Sequence, residues 1–232
     1  SETGYKNLTK LSSKSYLKND GATEPSCNLE DLKENSDDLI LLTGNYRNFF
    51  GQLFYKNKLK DFERILNYLK NCFKDRLYIE IQRHNENHEK NFENYLLNIS
   101  NSFKLPLIAT QEIFYLNENM YEAHDALVCI GEKNFVDDKN RFRYSNQHYL
   151  KSQEELEKLY SDIPEALENN YNFHLRFNFK PKKSKPILPS IANKESSSPE
   201  EELSNLAKKG LENRLANFIL KKDKIKSKDK IL

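Results

Sequence analysis

The side chains with the clearest potential for chemistry are three histidines and two glutamates. Glu80 stands inside an apolar run, His84 and His88 follow it four residues apart, Glu112 follows a second apolar run, and His124 lies in a helical pattern. Metal-dependent hydrolases often collect imidazole and carboxylate ligands at the carboxyl ends of barrel strands. These residue types are therefore compatible with a metal site, although their spacing alone does not establish one.

The same histidines also have simpler explanations. His84 and His88 lie in the polar stretch 82–88, which enters a helix, so two solvent-facing side chains are favoured over two ligands. His124 is surrounded by Ala123, Ala126 and Leu127, which favours local packing or capping.

Several catalytic motifs are missing. The sequence has no Gly-x-Gly-x-x-Gly or Walker loop, no Gly-x-Ser-x-Gly elbow, and no Asp-x-Asp pair that could hold the two metals of a nucleotidyl-transfer centre. A basic stretch could contact a phosphate backbone, with aromatic residues beside it, although a solvated linker is the simpler interpretation. Its residues are Arg176, Phe177, Phe179, Lys180, Lys182, Lys183 and Lys185.

Charge and cysteine content restrict the partners and the compartment. The 232 residues carry 37 basic and 35 acidic side chains, a net charge of +2, which gives no overall field for nucleic acid or an anionic membrane. The three cysteines, Cys27, Cys72 and Cys129, are odd in number and widely spaced, as is typical of a reducing compartment. With no apolar run of membrane-spanning length and no signal-peptide pattern, we expect a cytoplasmic protein without a membrane partner.

Strand and helix patterns alternate in the first half of the chain. Continuous apolar runs at 39–42, 77–81 and 105–110 predict strands, and the first of these has the composition of a strand buried on both faces. Apolar residues at helical spacing predict helices at 59–73 and 92–103 between them. This alternation predicts parallel strands joined by crossover helices, in an open α/β sheet or part of a barrel.

The remainder of the chain is predicted to be mostly helical. A brief helix is expected near 8–17, and further helices at 121–130, 152–160 and 164–169. Pro181, Pro186 and Pro189 interrupt the stretch 173–198, which has the composition of a connector. Ser198 followed by Pro199 then predicts a helix start, with the helix continuing to about Leu220 and a lysine-rich end at 221–230 that frays.

Seven strings of residues, taken together, resemble the PHP domain of bacterial DNA polymerase III alpha subunits. They follow the order and approximate spacing of that family over nearly the whole chain: 4–8 (GYKNL), 39–44 (LILLTG), 75–84 (DRLYIEIQRH), 105–110 (LPLIAT), 122–127 (EAHDAL), 149–155 (YLKSQEE) and 162–167 (DIPEAL). A further string, 207–215 (AKKGLENRL), resembles the helix that leads into the palm and thumb region of the family.

The resemblance implies an α/β fold of a particular kind. It implies an incomplete PHP-type distorted β/α barrel over 1–175, comprising the C-terminal two-thirds of the domain, with the early strands missing before Ser1. Residues 176–198 would form a connector, and 199–232 a helix at the start of the polymerase module. A barrel without its opening strands exposes sheet edges, so we expect poor solubility of the isolated chain.

The resemblance also implies a degenerate metal site. Metal-binding members present His, Asp, Glu and Cys ligands at one rim of the barrel, and a late strand there ends in Asp-x-His. This chain has Glu112 and Phe114 at the corresponding positions, and Asn45 where some members place a Cys ligand. Phenylalanine cannot bind a metal, so no cofactor is expected in this segment. Zn²⁺ or Mn²⁺ would bind only if the site were intact, with Glu80, His84 and His124 as further candidates.

Three functions follow as alternatives. The favoured one is a non-catalytic PHP scaffold that supports the polymerase module and helps to dock a separate proofreading exonuclease. The parent protein would be a DNA-directed DNA polymerase, a nucleotidyltransferase of DNA replication that works with Mg²⁺, template-primer DNA and the sliding clamp. Its catalytic carboxylates would lie downstream of Leu232, so no catalytic residue is assigned here. The alternatives are a metal-dependent phosphoesterase or 3′–5′ exonuclease using Glu80, His84, Glu112 and His124, and a free-standing protein-interaction module.

Overall fold

A computed structural model describes residues 1–17, 24–183, 185–186 and 198–216. The chain divides into two compact units, Ser1–Pro181 and Lys182–Leu232. The first unit contains a parallel sheet with helices packed around it, and the described part of the second unit is built on one long helix.

The sheet has three parallel strands. They are β1 (Leu41–Leu42), β2 (Leu77–Ile81) and β3 (Leu107–Ala109), in the order β1-β2-β3. Every residue of the central strand β2 is buried. The alternation of strand and helix in the sequence thus correctly predicted a parallel α/β arrangement, whereas closure into a barrel stays a prediction.

Nine α-helices are assigned among the described residues, several of them at the predicted places. Two, α2 and α3, were not predicted, and α1 is longer than the brief helix expected near 8–17. The helices are α1 (Glu2–Leu17), α2 (Leu29–Glu34), α3 (Phe49–Tyr55), α4 (Leu59–Phe73), α5 (Glu89–Phe103), α6 (Tyr121–Glu132), α7 (Gln153–Leu159), α8 (Pro164–Phe173) and α9 (Pro199–Arg214).

The hydrophobic core lies between the sheet and its crossover helices. Helices α3 and α4 lie between β1 and β2 in the chain, and α5 lies between β2 and β3. Helices α4 and α5 each turn one apolar face toward the strands. Burying each of these large apolar side chains stabilises the fold by about 1.5–3 kcal/mol. The core residues that they contribute are Phe62, Ile65, Leu66, Leu69, Phe73, Phe92, Leu96 and Ile99.

Strand β1 departs from its prediction. The run 39–42 has the composition of a strand buried on both faces, yet only Leu41 and Leu42 form a strand and both are half-buried. The reason is that β1 pairs with β2 along one edge, and no described strand pairs with its other edge. An open groove of 510 Å³, lined partly by α1 and the segment after α8, lies beside it.

The predicted starts of the last helices are confirmed. The Ser152 side chain accepts a hydrogen bond from the backbone N–H of Glu155, whose carboxylate in turn accepts the Ser152 N–H, which caps α7. Ser198 caps α9 by accepting the backbone N–H of Glu201 (3.2 Å), with Pro199 at the first helical position. Helix α9 is assigned as far as Arg214. Of the predicted extension to Leu220, residues 217–220 lie outside the described residues, as does the stretch 221–230. The domain boundaries after 175 and 198 stay predictions.

A search of the described helices for a membrane span was negative. None of them combines the length and the apolar character that crossing a bilayer requires.

Candidate functional site

The carboxyl ends of all three strands meet at one rim of the sheet, and Glu80 connects them. Its carboxylate accepts hydrogen bonds from the backbone N–H of Gly44 after β1 (3.0 Å) and from the side-chain amide of Gln82 (3.0 Å). It also accepts one from the hydroxyl of Thr110, which follows β3. Glu80 is buried, and these donors satisfy both of its oxygens. Its arrangement is that of a structural tie between strand ends.

Asn45 belongs to the same hydrogen-bonded network. Its side-chain amide donates to Oε1 of Gln82 (2.9 Å), and its Oδ1 accepts the backbone N–H of Arg47 (3.0 Å). Gly44, just before it, has a positive φ of 80°, which an L-residue rarely adopts. Asn45 therefore stabilises the turn that follows β1.

His84 is buried at the same rim, so the prediction of a solvent-facing side chain was wrong. Only 2% of it is exposed, whereas His88 is exposed as predicted. The Nδ1 atom lies 3.1 Å from Oε1 of Glu89, and Nε2 accepts the backbone N–H of Glu112 at 3.1 Å. These partners assign the neutral tautomer with the proton on Nδ1. Both ring nitrogens are thus engaged within the protein.

The surroundings of Glu89 change the pKa of its carboxyl group. Burial on its own would raise the pKa of Glu89. Hydrogen bonds from His84 and from the backbone N–H of Glu86 outweigh that effect and lower the pKa. Glu89 is therefore a carboxylate that fixes the orientation of the His84 ring.

A second buried histidine, His148, was missed in the sequence analysis. Its ring stacks on His84 with centroids 4.1 Å apart and an angle of 1° between the planes. On its other side lies Phe114 at 4.9 Å, and Phe114 in turn stacks on His124 at 5.0 Å. The four rings form one row, which we call the ring stack (His84, His148, Phe114 and His124).

Long-range pairing brings His148 to this position. The backbone N–H of Phe114 donates to the carbonyl of His148 (2.9 Å), and the N–H of Leu150 donates to the carbonyl of Tyr115 (3.0 Å). No periodic pattern near His148 predicts this contact, because the segments of Tyr115 and Tyr149 are separated by more than 30 residues in the sequence. The only available signal was its residue type.

The surroundings of His148 favour its neutral form. Nδ1 lies 3.0 Å from the backbone carbonyl of Glu112, while Nε2 is buried without a hydrogen-bond partner, 3.6 Å from Oε1 of Glu86. Burial, and then the proximity of His84, lower the pKa of His148 to about 4. The ring is therefore uncharged near neutral pH.

His124 packs locally, as its neighbours predicted. It is half-buried in α6 against the face of Phe114, and its Nδ1 has no hydrogen-bond partner. Phe114 separates His124 from His148, so the imidazoles of the ring stack do not converge on one point.

The donor atoms of these residues do not fit a zinc or manganese ion. Such an ion needs three or more converging nitrogen, sulfur or oxygen ligands. The nitrogens of His84 and the oxygens of Glu80 already have protein partners. Within residues 1–17, 24–183, 185–186 and 198–216, no three His, Cys, Asp or Glu side chains are grouped as a metal would require.

The basic candidates for phosphate contact have different surroundings. The guanidinium of Arg176 donates to Oδ2 of Asp75 (2.7 Å) and to the hydroxyl of Tyr78 (2.6 Å), which fastens the segment after α8 to the start of β2. Lys180 in the first unit, and Lys182 and Lys183 in the second, are exposed. Arg176 is thus engaged in a structural contact.

Comparison with known proteins first indicates which class of domain the chain resembles. The family model of the PHP domain matches residues 1–84, which contain β1, β2 and the rim residues Asn45, Glu80 and His84.

Pairwise comparison extends the similarity over most of the chain. DNA polymerase III subunit alpha of Caulobacter vibrioides is 36% identical over 219 residues, covering 94% of this chain and 19% of that protein. The subunits of Rickettsia bellii and Escherichia coli are 35% and 32% identical, covering 84% and 92% of this chain and 17% and 18% of theirs. The chain is therefore homologous to a PHP-containing part of DNA polymerase III subunit alpha. It spans about a fifth of the length of these relatives.

Proposed function

We propose that this region is a non-catalytic PHP scaffold within a replicative DNA polymerase of the subunit alpha type. The observation that carries the proposal is the state of the rim. Glu80 and His84 have side chains that could have been ligands. Their polar atoms instead form hydrogen bonds within the protein, which hold strand ends and loops together. Phe114 stands in the ring stack, where it supplies packing and no donor atom.

The parent protein would supply the chemistry elsewhere in its chain. Its relatives are named as DNA polymerase III subunit alpha, so DNA synthesis with Mg²⁺ on template-primer DNA would be the activity of the longer protein. The scaffold would support the polymerase part and help to dock a separate proofreading exonuclease, and the sliding clamp would bind elsewhere in the complex. None of these activities would belong to this segment on its own.

One observation favours the alternative of a metal-dependent nuclease. The Nε2 atom of His148 is a buried acceptor without a hydrogen-bond partner, 3.6 Å from a carboxylate oxygen of Glu86. A cation at these two groups would be the basis of such an activity, and Glu112, whose Oε2 lies 3.8 Å from Nδ1 of the same ring, is the neighbouring carboxylate that a substitution can test. The two functions differ in what they predict for metal content.

Metal binding and hydrolysis test the proposal together. The purified chain would be incubated with Zn²⁺ or Mn²⁺, desalted, and measured for bound metal and for release of nucleotides from 3′-labelled single-stranded DNA. We expect bound metal well below one ion per chain and no hydrolysis above the background. Glu112→Ala would be compared with Glu165→Ala, a control at an exposed position in α8. One tightly bound ion per chain, together with hydrolysis that Glu112→Ala abolishes and Glu165→Ala retains, would establish the nuclease instead.

A further inference from the structure

Helix α6 and the loop that follows it, residues 133–144, have the reverse of the usual distribution of polar and apolar side chains. A charged pair lies inside this region, and large apolar side chains lie on its outside. Isolated exposed apolar residues are common on proteins, but a contiguous apolar patch is characteristic of an interaction surface.

The inside of the region is organised by Asp125. Its carboxylate accepts a hydrogen bond from each terminal nitrogen of the Arg141 guanidinium. The side chains of both residues are at least 95% buried. Arg143 adds a third contact at 3.1 Å. Arg141 also donates to the carbonyl of Val136 (3.1 Å), so the pair holds the loop in a fixed position beside α6.

The outside of the region is apolar. Ala123, Leu127 and Ile130 recur at helical spacing on the face of α6 opposite Asp125, and Leu127 and Ile130 are 64% and 76% exposed. The loop after α6 has two further exposed apolar side chains, Phe135 (79% exposed) and Val136. We call these five residues the α6 face.

This part of the chain contributes nothing to the core between the sheet and the crossover helices. The buried core cluster contains no residue between Ala109 and Tyr160. Helix α6 contacts the rest of the first unit instead through His124, which packs against Phe114 and Tyr115, while the ion pair of Asp125 with Arg141 joins the helix to its own loop. An amphipathic helix normally buries its apolar side in its own domain. We therefore expect the exposed α6 face to be covered by protein outside the described residues.

We propose that the α6 face is the surface on which the PHP region packs against the polymerase part of the same polypeptide. The proposal rests on the function proposed above and adds the place of contact. Permanent interfaces are more apolar than transient ones, and charged residues are depleted at their centres. The α6 face has that composition. In relatives such as the Caulobacter vibrioides subunit, this region is covalently joined to about four fifths of a longer chain, which favours a permanent partner within that chain over a separate subunit.

Hydroxyl-radical footprinting tests the assignment directly. The 232-residue chain would be compared with the polypeptide made from the complete natural reading frame that contains it, with oxidation of each side chain read by mass spectrometry. We expect Leu127, Ile130 and Phe135 to be oxidised about fivefold more slowly in the complete polypeptide, as in the core of an interface. Leu17 and Leu175, exposed on other parts of the first unit, serve as internal controls and should change little.

A substitution provides the second measurement. Ile130→Glu should leave the melting temperature of the 232-residue chain within about 2 °C of the unsubstituted value, because the side chain is exposed there. It should lower the melting temperature of the complete polypeptide by more than the control Leu175→Glu does, because it places a charge in an apolar contact.

Each contrary result has a definite meaning. Equal oxidation of the α6 face in the two proteins, or equal protection of every exposed residue, would overturn the assignment. Protection in the 232-residue chain that grows with its concentration would replace it with contact between two copies. If the metal and hydrolysis measurements revealed a nuclease while the α6 face remained protected in the complete polypeptide, the proposed function would fail and the contact surface would stand.

Discussion

At the scale of single residues, the ring stack depends on keeping the buried imidazole of His148 uncharged beside that of His84. His84 and His148 lie face to face at 4.1 Å, and neither has more than 2% of its surface exposed. A charge on His148 would be withdrawn from water and placed beside the second ring. The nearest carboxylate oxygens, on Glu86 and Glu112, are 3.6 and 3.8 Å away and compensate only in part.

This arrangement predicts a loss of stability in mild acid. Because the folded-state pKa of His148 is about 4, against 6.5 for the unfolded chain, the unfolded chain binds more protons between these values. The contribution of His148 is therefore complete above pH 6.5 and is lost as the pH falls toward 4, by up to about 3 kcal/mol. Urea denaturation at several pH values between 7.5 and 4.5 measures it.

His148→Phe supplies the matched control, because phenylalanine retains an aromatic ring and cannot titrate. Other groups also lose stability in acid, notably Asp125, whose pKa is lowered by its hydrogen bond with Arg141. The informative quantity is therefore the difference in the free energy of unfolding between the original chain and His148→Phe at each pH. Parallel pH profiles for the original chain and His148→Phe would show that His148 does not carry the effect.

The sequence could supply residue types for this site but not their grouping. Glu80 and His84 were chosen as candidates because they stand at the end of a strand pattern, and the structure places both at the rim. The burial of His84 could not be predicted, because its neighbours are polar and its cover comes from His148, 64 positions further on. Contacts of that sequence separation leave no local pattern.

At the scale of elements, prediction succeeded where periodicity alone decides the structure. Helix α4 and strand β2 have strong patterns, and both were placed to the residue. Strand β1 was predicted too long, because its extent depends on pairing at an edge, which its own residues do not encode. Helices α2 and α3 have only 6 and 7 residues, too few for a clear period.

The ion pair between Asp125 and Arg141 predicts that its loss makes helix α6 open locally. In Asp125→Asn, the buried Arg141 loses its carboxylate, and an unpaired buried charge is strongly destabilising. Since α6 lies outside the core cluster, we expect the helix and the loop to open locally. Amide hydrogen exchange in α6 should accelerate on the order of tenfold or more, while β2 changes little.

Asp61→Asn is a suitable control for this substitution. Asp61 forms an ion pair with Arg64 that is largely exposed, and such pairs contribute little. Unchanged exchange in α6 of Asp125→Asn would mean that the apolar contacts of the helix hold it in place without the pair.

At the scale of the whole molecule, the first unit carries an incompletely covered sheet. The open edge of β1 borders a groove of 510 Å³ lined by apolar side chains such as Leu8, Leu41 and Phe177. A net charge of only +2 provides little repulsion between copies. Unpaired strand edges and apolar grooves both promote association, which is the physical basis of the poor solubility predicted from the sequence.

The groove therefore predicts that the isolated 232-residue chain self-associates as its concentration rises. Leu8→Glu places a charge on a half-exposed wall of the groove and should shift association to roughly tenfold higher concentration, as a penalty of about 1.4 kcal/mol would. Leu17→Glu lies on the same helix but outside the groove, and should have no such effect. Sedimentation velocity over a range of concentrations measures both variants. A monomer at every concentration, with one sharp cooperative melt, would mean that the open edge of β1 is tolerated without a cover. The composition of the 39–42 run would then reflect burial against α1 and the segment after α8 alone.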